Sequence, residues 1–255
     1  MSHSNGSLFL VPNVLDFGAS GPLDPVSDVL PMSVLRVASR LTHWIAENAK
    51  TTRAFLKRID EVMPLVQPLQ TLSISELPRP RKGPSGLPAP DLAALLAPAF
   101  GGHDLGLISE AGLPAVADPG AKLVEAAHTI GIEVIALAGP SSLMLALAAS
   151  GLNGQSFAFV GYLPIDATER GSRIHELETL SRRTAQTQLM IETPYRNGAL
   201  LAALLAHLQP GTRVAVSCGL TMSNGFSRTD SVRDWKSRPA SLPNDIPAVF
   251  SLLGG

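Results

Sequence analysis

Apolar residues in this chain come in short blocks, each followed by a turn or by a stretch with helical spacing. Residues 8–11 (LFLV) form one block, halted by Pro12 and Asn13, and predict a buried strand opening into a loop. Residues 12–31 contain Gly18, Gly21, Pro22, Pro25 and Pro31, so a long loop is expected there. Residues 33–46 begin with helical spacing and end in a short strand around His43, Trp44 and Ile45. The stretch 49–60 predicts an amphipathic helix with Phe55, Leu56 and Ile59 on one face. Further on comes a strand at 105–108 (LGLI), a loop at 109–120 and a helix at 121–130 stopped by Gly131. Next are a strand at 132–137 (IEVIAL), a loop at 138–142 and a helix capped by Ser141 or Ser142. Strands that alternate with helices in this way imply a parallel sheet. In the second half, strands at 157–162, 188–192, 213–218 and 248–253 mix with helices at 170–183 and 197–208, which predicts a mixed sheet. The expected fold class is α/β, with a largely parallel N-terminal sheet and a mixed C-terminal one.

Composition changes this picture little. Of 255 residues, 45% are hydrophobic and 16% charged, enough apolar material to bury a core. The formal net charge of -1 neither supports nor excludes a nucleic-acid partner, because local patches matter more than totals. A single cysteine, Cys218, excludes an intrachain disulfide and reads as a small buried hydrophobe. The opening residues lack the basic start of a signal peptide, and no apolar run reaches membrane-spanning length. A cytoplasmic protein without membrane contact is expected. Residues 77–90 (LPRPRKGPSGLPAP) exclude regular structure and predict a surface loop, after which Asp91 caps a helix over 91–100.

Ligands of open α/β sheets sit beyond the carboxyl ends of the strands. Three loops leave such ends here: 12–31, 109–120 and 138–142. In the second, Gly112 permits close backbone approach, Pro114 stiffens the turn, and Glu110 offers a carboxylate for a ribose hydroxyl, an ammonium or a sulfonium. An ordinary turn with a solvated Glu110 is the competing reading. Asp118, before Pro119, is expected to cap the helix from Ala121. Residues 139–142 (GPSS) present backbone amides suited to an anion, or a plain helix cap. No GxGxxG motif stands after the first strand, so a dinucleotide-binding domain is not supported.

The segments SEAGLPAVADPG (109–120), AGPSSLMLALAASGL (138–152) and MIETPYR (190–196) resemble the tetrapyrrole (corrin/porphyrin) methylase superfamily. Within it they are similar to the branch of bacterial ribosomal-RNA cytidine 2′-O-methyltransferases, which reads SDAGTPGISDPG, PGPSALLAALSASGL and FYESPHR. The resemblance implies two α/β domains, at 1–138 and 139–255, with S-adenosylmethionine (SAM) in the cleft between them, and a homodimer. It places Pro12, Ser109, Glu110, Ala111, Leu113, Ser141 and Ser142 at the cofactor, with Met190, Ile191 and Glu192 from the second domain. Three stretches depart from the pattern. The family's PTPIGNL appears as Pro12-Asn13-Val14-Leu15-Asp16, and its EDTR as Glu47-Asn48-Ala49-Lys50, with Thr51, Thr52 and Arg53 beyond; a His/Asn-containing segment that usually follows is replaced by the proline-rich loop around SELPRPRKG. All three lie on the acceptor side, which leaves the acceptor open.

A hydroxyl acceptor needs a group to take its proton. Glu47, at the end of a strand, is the first candidate for that catalytic role, against a capping or salt-bridged glutamate. Arg53 and Lys50 can bind a substrate phosphate or form a solvated helix face. His43 is expected to pack within its strand, while Tyr195 and Arg196 either line the acceptor side or sit on a surface loop. Arg79, Arg81, Lys82, Arg170, Arg173, Arg182 and Arg183 are the candidates for an RNA-phosphate patch. Three functions remain open at this point: methylation of ribosomal RNA, methylation of a tetrapyrrole or other small molecule, and SAM binding without catalysis.

Overall fold

The computed structural model describes residues 5–16, 23–78 and 91–255. The proline-rich loop from residue 79, with Arg79, Arg81 and Lys82, lies outside them, as do Gly18, Gly21 and Pro22 of the first loop. The chain divides into two compact units, one ending at Pro140 and the other beginning at Ser141.

The first unit is built on β1 (Leu8–Leu10), α1 (Met32–Arg40), β2 (His43–Ala46), α2 (Ala49–Val62), β3 (Ser73–Glu76), α3 (Ala97–Phe100), β4 (Leu105–Ile108), α4 (Ala121–Thr129) and β5 (Val134–Ala136). Its strands lie in the order β3-β2-β4-β1-β5, and every neighbouring pair is parallel. Side chains alternate across the pleat. Phe9 and Trp44 face α1 and α2, with Leu35, Leu56 and Ile59. Leu8 and Ile45 face the other way, with Leu96 and with Leu123 of α4. Gly106 gives Trp44 room: a β-carbon there would stand 2.7 Å from the indole ring. The Trp44 indole donates to the carbonyl of Leu41 at 3.2 Å, so its one polar atom is satisfied in the core.

The amphipathic helix expected at 49–60 is α2, and Asn48 starts it, its Oδ1 accepting from the Lys50 and Thr51 amides. Asp91 does cap, accepting from the Ala93 and Ala94 amides, but the helix expected over 91–100 is broken into a 3₁₀ turn, Ala93–Leu96, and the short α3. Pro98 explains the fragmentation, since it cannot donate within a continuous helix.

The second unit holds α5 (Ser142–Ser150), β6 (Phe157–Phe159), α6 (Ala167–Thr184), β7 (Thr187–Glu192), α7 (Asn197–His207), β8 (Arg213–Cys218), β9 (Phe226–Ser231), α8 (Val232–Ser237) and β10 (Ala248–Leu253). Its sheet runs β6-β7-β10-β8-β9, parallel between β6 and β7 and antiparallel elsewhere. Leu189 and Val249 pack on α5 through Leu143, Ala146 and Leu147. Met190, Phe250 and Val214 face Ile174 and Leu177 of α6, Leu204 of α7 and Trp235 of α8. Cys218 is buried, and that burial raises its thiol pKa, in keeping with a structural cysteine. Among the described residues no helix is long and apolar enough to cross a membrane.

Candidate functional site

The strands of the first unit are parallel and in register, so their carboxyl ends reach one edge of the sheet together. Leu10 pairs with Leu107 and with Ala136, and Ala46 pairs with Ile108. The loops beginning at Val11, Glu47, Ser109 and Leu137 therefore leave the sheet side by side.

Asn13 ties the first of these loops to the third. Its backbone exchanges hydrogen bonds with Gly112, donating at 2.9 Å and accepting at 3.1 Å. Its side-chain amide donates to the carbonyls of Ser109 and Glu110, at 3.1 and 3.0 Å, and its Oδ1 accepts from the Val14 amide. Buried amides held from both ends are strong positional devices. Gly112 has φ +65°, and a β-carbon on it would lie 3.2 Å from Leu15 and 3.5 Å from the carbonyl of Pro140. Gly139 is tighter still, because a β-carbon there would stand 2.3 Å from the ring of Pro12. The loops after β1, β4 and β5 thus meet with almost no side chain between them. In the same β4 loop, Ala115 and Ala117 take φ of 65° and 64°. That conformation costs a non-glycine residue about 1–3 kcal/mol, and strain of this kind gathers at binding loops.

Three carboxylates converge on this edge. Glu47 directly succeeds β2; its amide donates to the Ile108 carbonyl at 3.1 Å, and its Oε2 accepts from the Glu110 amide at 3.1 Å. The Glu110 carboxyl is pushed up by burial and by the charge of Glu47, against hydrogen bonds from Thr51 and Asn48 that pull it down. Asp118 is raised to about 7, first by burial and then by Glu47 and Glu110. The expected role of Asp118 as a helix cap is therefore corrected: Gly120 takes the N-cap position of α4, with no side-chain cap bond, and Asp118 folds back toward the two glutamates. Among the described residues, none of the three forms a salt bridge. Beside them the Ser109 hydroxyl is buried without a hydrogen-bond partner. Three carboxylates without a cation, next to an orphaned hydroxyl and bare glycine backbone, are suited to a cationic ligand that carries hydroxyl groups. No group of side chains suited to a metal occurs among the described residues.

The other expected residues are more scattered. Pro12 is buried against Gly139, and Ala111 and Leu113 are half-buried on the β4 loop. Arg53 and Lys50 are exposed on α2, with an Arg53 guanidinium nitrogen donating to the Ala49 carbonyl. His43 sits at the opposite end of β2 from Glu47, its ring 4.6 Å from that of His103. In the second unit, Ser141 occupies the N-cap position of α5, but its hydroxyl makes no cap bond, a correction to its expected role; Ser142 is the first helical residue. Met190 is buried in the core, while Ile191 donates its amide to the Gly161 carbonyl at 3.2 Å. Glu192 accepts from the Thr193 amide and pairs with Arg196 at 3.2 Å, leaving Tyr195 exposed. The sequence does not single out Asn13, Asn48, Thr51 or Asp118 as site residues; for Asn13 the one available signal is an Asn a few residues beyond a strand end.

No family model matches the chain. It is 38% identical over 139 residues to the "Ribosomal RNA small subunit methyltransferase I" of Mesorhizobium japonicum, covering 54% of this chain and 46% of that protein. It is 30% identical over 205 residues to the protein of the same name from Streptococcus pyogenes, covering 80% of this chain and 61% of that one. The chain thus spans roughly half of the length of the curated relatives it matches. Among solved structures, the uroporphyrin-III-C-methyltransferase of Thermus thermophilus superposes with TM-score 0.52 at 19% identity, over 97% of this chain and 92% of that one. The methyltransferase CobJ superposes with TM-score 0.56 at 15% identity, over 98% and 95%. The fold, two α/β units, is that of the tetrapyrrole methylases.

Proposed function

We propose that this chain is a SAM-dependent methyltransferase whose acceptor is a ribose 2′-hydroxyl of small-subunit ribosomal RNA. Small-subunit ribosomal RNA is taken from the names of its sequence relatives, and the ribose 2′-hydroxyl from the motif resemblance. The cofactor reading rests on one observation above all: the uncompensated carboxylates Glu47, Glu110 and Asp118 beside the unpartnered Ser109 hydroxyl. SAM carries a sulfonium, an ammonium and a ribose diol, the functions this edge lacks partners for. Bound there, it would supply an activated methyl group.

The protein's own contribution is placement. Glu110 and Asp118 would hold positive charge and ribose hydroxyls, with Pro12, Ser109, Ala111 and Leu113 as the surrounding wall. Asn13 fixes that wall, because it holds the Ser109 and Glu110 carbonyls at once. Ser141, Ser142, Met190, Ile191 and Glu192 are proposed as the second unit's contribution, on the strength of the sequence resemblance. Orientation of a bound pair of reactants can contribute roughly 7–11 kcal/mol to lowering a barrier. One oxygen of Glu47 is engaged by the Glu110 amide. The other would accept the proton of the acceptor hydroxyl, and exposed Arg53 would meet a neighbouring phosphate. A homodimer in the cytoplasm completes the reading.

Labelled SAM incubated with small ribosomal subunits, with mass analysis of the resulting nucleosides, tests it. A 2′-O-methylated nucleoside is expected. Transfer to a tetrapyrrole but not to RNA would overturn the acceptor, and binding of SAM without any turnover would overturn the enzyme. Sedimentation velocity reads the dimer.

A further inference from the structure

The second unit carries a charged surface that the strand-end loops do not use. Of the arginines expected to form an RNA patch, Arg170 donates to the carbonyls of Pro164 and Ile165, and Arg173 pairs with Glu176 at 3.0 Å. Both are engaged locally. Arg182 and Arg183 are different. They lie exposed at the carboxyl end of α6, and Arg183 makes no ion pair or side-chain hydrogen bond among the described residues.

The fold brings two further arginines to the same end of the unit from far along the chain, Arg233 on the face that α6 and α8 cover and Arg213 on the other face of the sheet, with Ala215 and Leu253. The Gly254 amide donates to the Ser181 hydroxyl at 2.9 Å, which seats the end of β10 against α6 next to Arg182. Leu253 of β10 pairs with Arg213, the first residue of β8. Glu178, buried in α6, accepts from the Gln209 amide and the Thr212 hydroxyl, drawing the turn before β8 onto the helix. Arg233 in the first turn of α8 donates its amide to the Pro210 carbonyl at 3.1 Å, and Val232 donates to Thr212 at 2.9 Å. Arg213 and Arg233 are both exposed, and neither side chain has an ion pair or hydrogen bond among the described residues. Lys236 is exposed farther along α8. The acidic group central to this assembly, Glu178, is buried and occupied by the turn. Its contact with Arg182 is long, at 3.9 Å.

We propose that this end of the second unit, where the end of α6, the 210–213 turn and the start of α8 meet, is a docking surface for the phosphate backbone of RNA. Arg182, Arg183, Arg213 and Arg233 make the contacts. The proposal rests on the ribosomal-RNA reading above and adds the place of contact. Strand register gives it reach. Ala248 pairs with Glu192 and with Cys218 at one end of the sheet, while Leu253 pairs with Arg213 at the other. At about 3.4 Å per residue Arg213 stands on the order of 17 Å from Glu192 along the strands. A small acceptor cannot span that distance, whereas a polyanion with regularly spaced phosphates can. Guanidinium groups suit the task because each offers a planar fork to phosphate oxygens.

The test is equilibrium binding of a fluorescent fragment of small-subunit ribosomal RNA over a range of salt, with SAM affinity by calorimetry alongside. Replacing all four arginines by Gln is expected to weaken RNA binding roughly tenfold or more near physiological salt. It should also lower the slope of log K against log salt by about 3, since each lost phosphate contact removes about 0.7–0.9. SAM affinity should stay unchanged. The single substitutions Arg213→Gln and Arg233→Gln should each lower the slope by roughly one contact's worth, which keeps the test open if the fourfold variant folds poorly. Arg173→Gln, already paired, should leave it unaltered. RNA binding that persists with the wild-type slope in all these variants overturns the docking surface and leaves the ribosomal-RNA reading standing. A wild-type protein that binds SAM but no RNA overturns both.

Discussion

The two edges of the first unit's sheet are built from similar residues and treat them in opposite ways. At the amino edge, polar groups are matched. Arg40 pairs with Asp104 at 2.6 Å and lies over the Phe9 ring, Asp104 also accepts from the Ser7 amide, and the Ser7 hydroxyl donates to Glu133. His43 shares a hydrogen bond with Thr42 and stands by His103; burial, then His103, lower its pKa, which favours the neutral ring. At the carboxyl edge, Glu47, Glu110 and Asp118 face one another without a cation, and two alanines are held at positive φ. The first arrangement is what stability alone would select. The second costs stability and makes sense as a place kept ready for positive charge.

The carboxyl edge is the easier of the two to break. Gly139→Ala puts a β-carbon 2.3 Å from the Pro12 ring, which has no flexible end to move aside. Overpacking of this kind should lower unfolding stability by about 3 kcal/mol, seen as a shifted denaturant midpoint at unchanged m, and SAM affinity should fall with it. A midpoint within experimental error of wild type would mean that the loops after β1 and β5 are not held as tightly as described. Glu110→Gln removes charge while keeping shape. Loss of a charged partner is worth about 2 kcal/mol, so calorimetry should show SAM binding weakened about 30-fold with little change in stability. An unaltered affinity would move the cation elsewhere.

Asp118 sharpens the contrast through pH. Its carboxyl is neutral below about 7 and ionised above. A cationic ligand favours the ionised form, so SAM affinity should rise as pH goes from about 6 to about 8, by up to tenfold for one coupled proton. Stability of the ligand-free protein should move the other way. Between the ordinary carboxyl range near 3.8 and about 7 the folded state holds a proton that the unfolded state has released. The stabilising contribution of this group is therefore complete below about 3.8 and lost as pH climbs through about 7. Asp118→Asn should flatten both curves. Identical pH profiles for wild type and variant would remove Asp118 from the cluster.

Much of this architecture is legible in the sequence because it is local. The strands at 105–108 and 248–253 are almost wholly apolar runs, buried on both faces, and helix α2 shows its Phe55, Leu56 and Ile59 stripe. Strands β3 (SISE) and β9 (FSRTDS) escape the hydrophobic pattern because each lies at a sheet edge with one partner strand, where polar side chains are tolerated. Glu47 and Glu110 stand out by their strand-end positions. Asp118 does not, because the local signal of an Asp before Pro119 reads as a cap, while its burial depends on residues far away in the chain. The basic end of the second unit is hidden for the same reason. Arg182, Arg213 and Arg233 reach one end of the unit only through the antiparallel register of β8 and β10 and the hydrogen bonds of the 210–213 turn.

The smallest expected effect comes from the amino edge, and its smallness is what the comparison requires. Arg40→Gln removes the ion pair with Asp104 and the contact over Phe9, but the arginine is 48% exposed and solvent screens the pair. Exposed pairs contribute about 0.2–1 kcal/mol, so stability should fall by roughly 0.5 kcal/mol, less at high salt. Asp104 keeps the Ser7 amide as a partner, so the substitution leaves no buried charge unpaired. The strands between the two edges are short and unaffected, so SAM affinity should match wild type at every pH. A clear loss of affinity would show that the amino edge also governs the ligand, and the division between a stabilising edge and a binding edge would then fail.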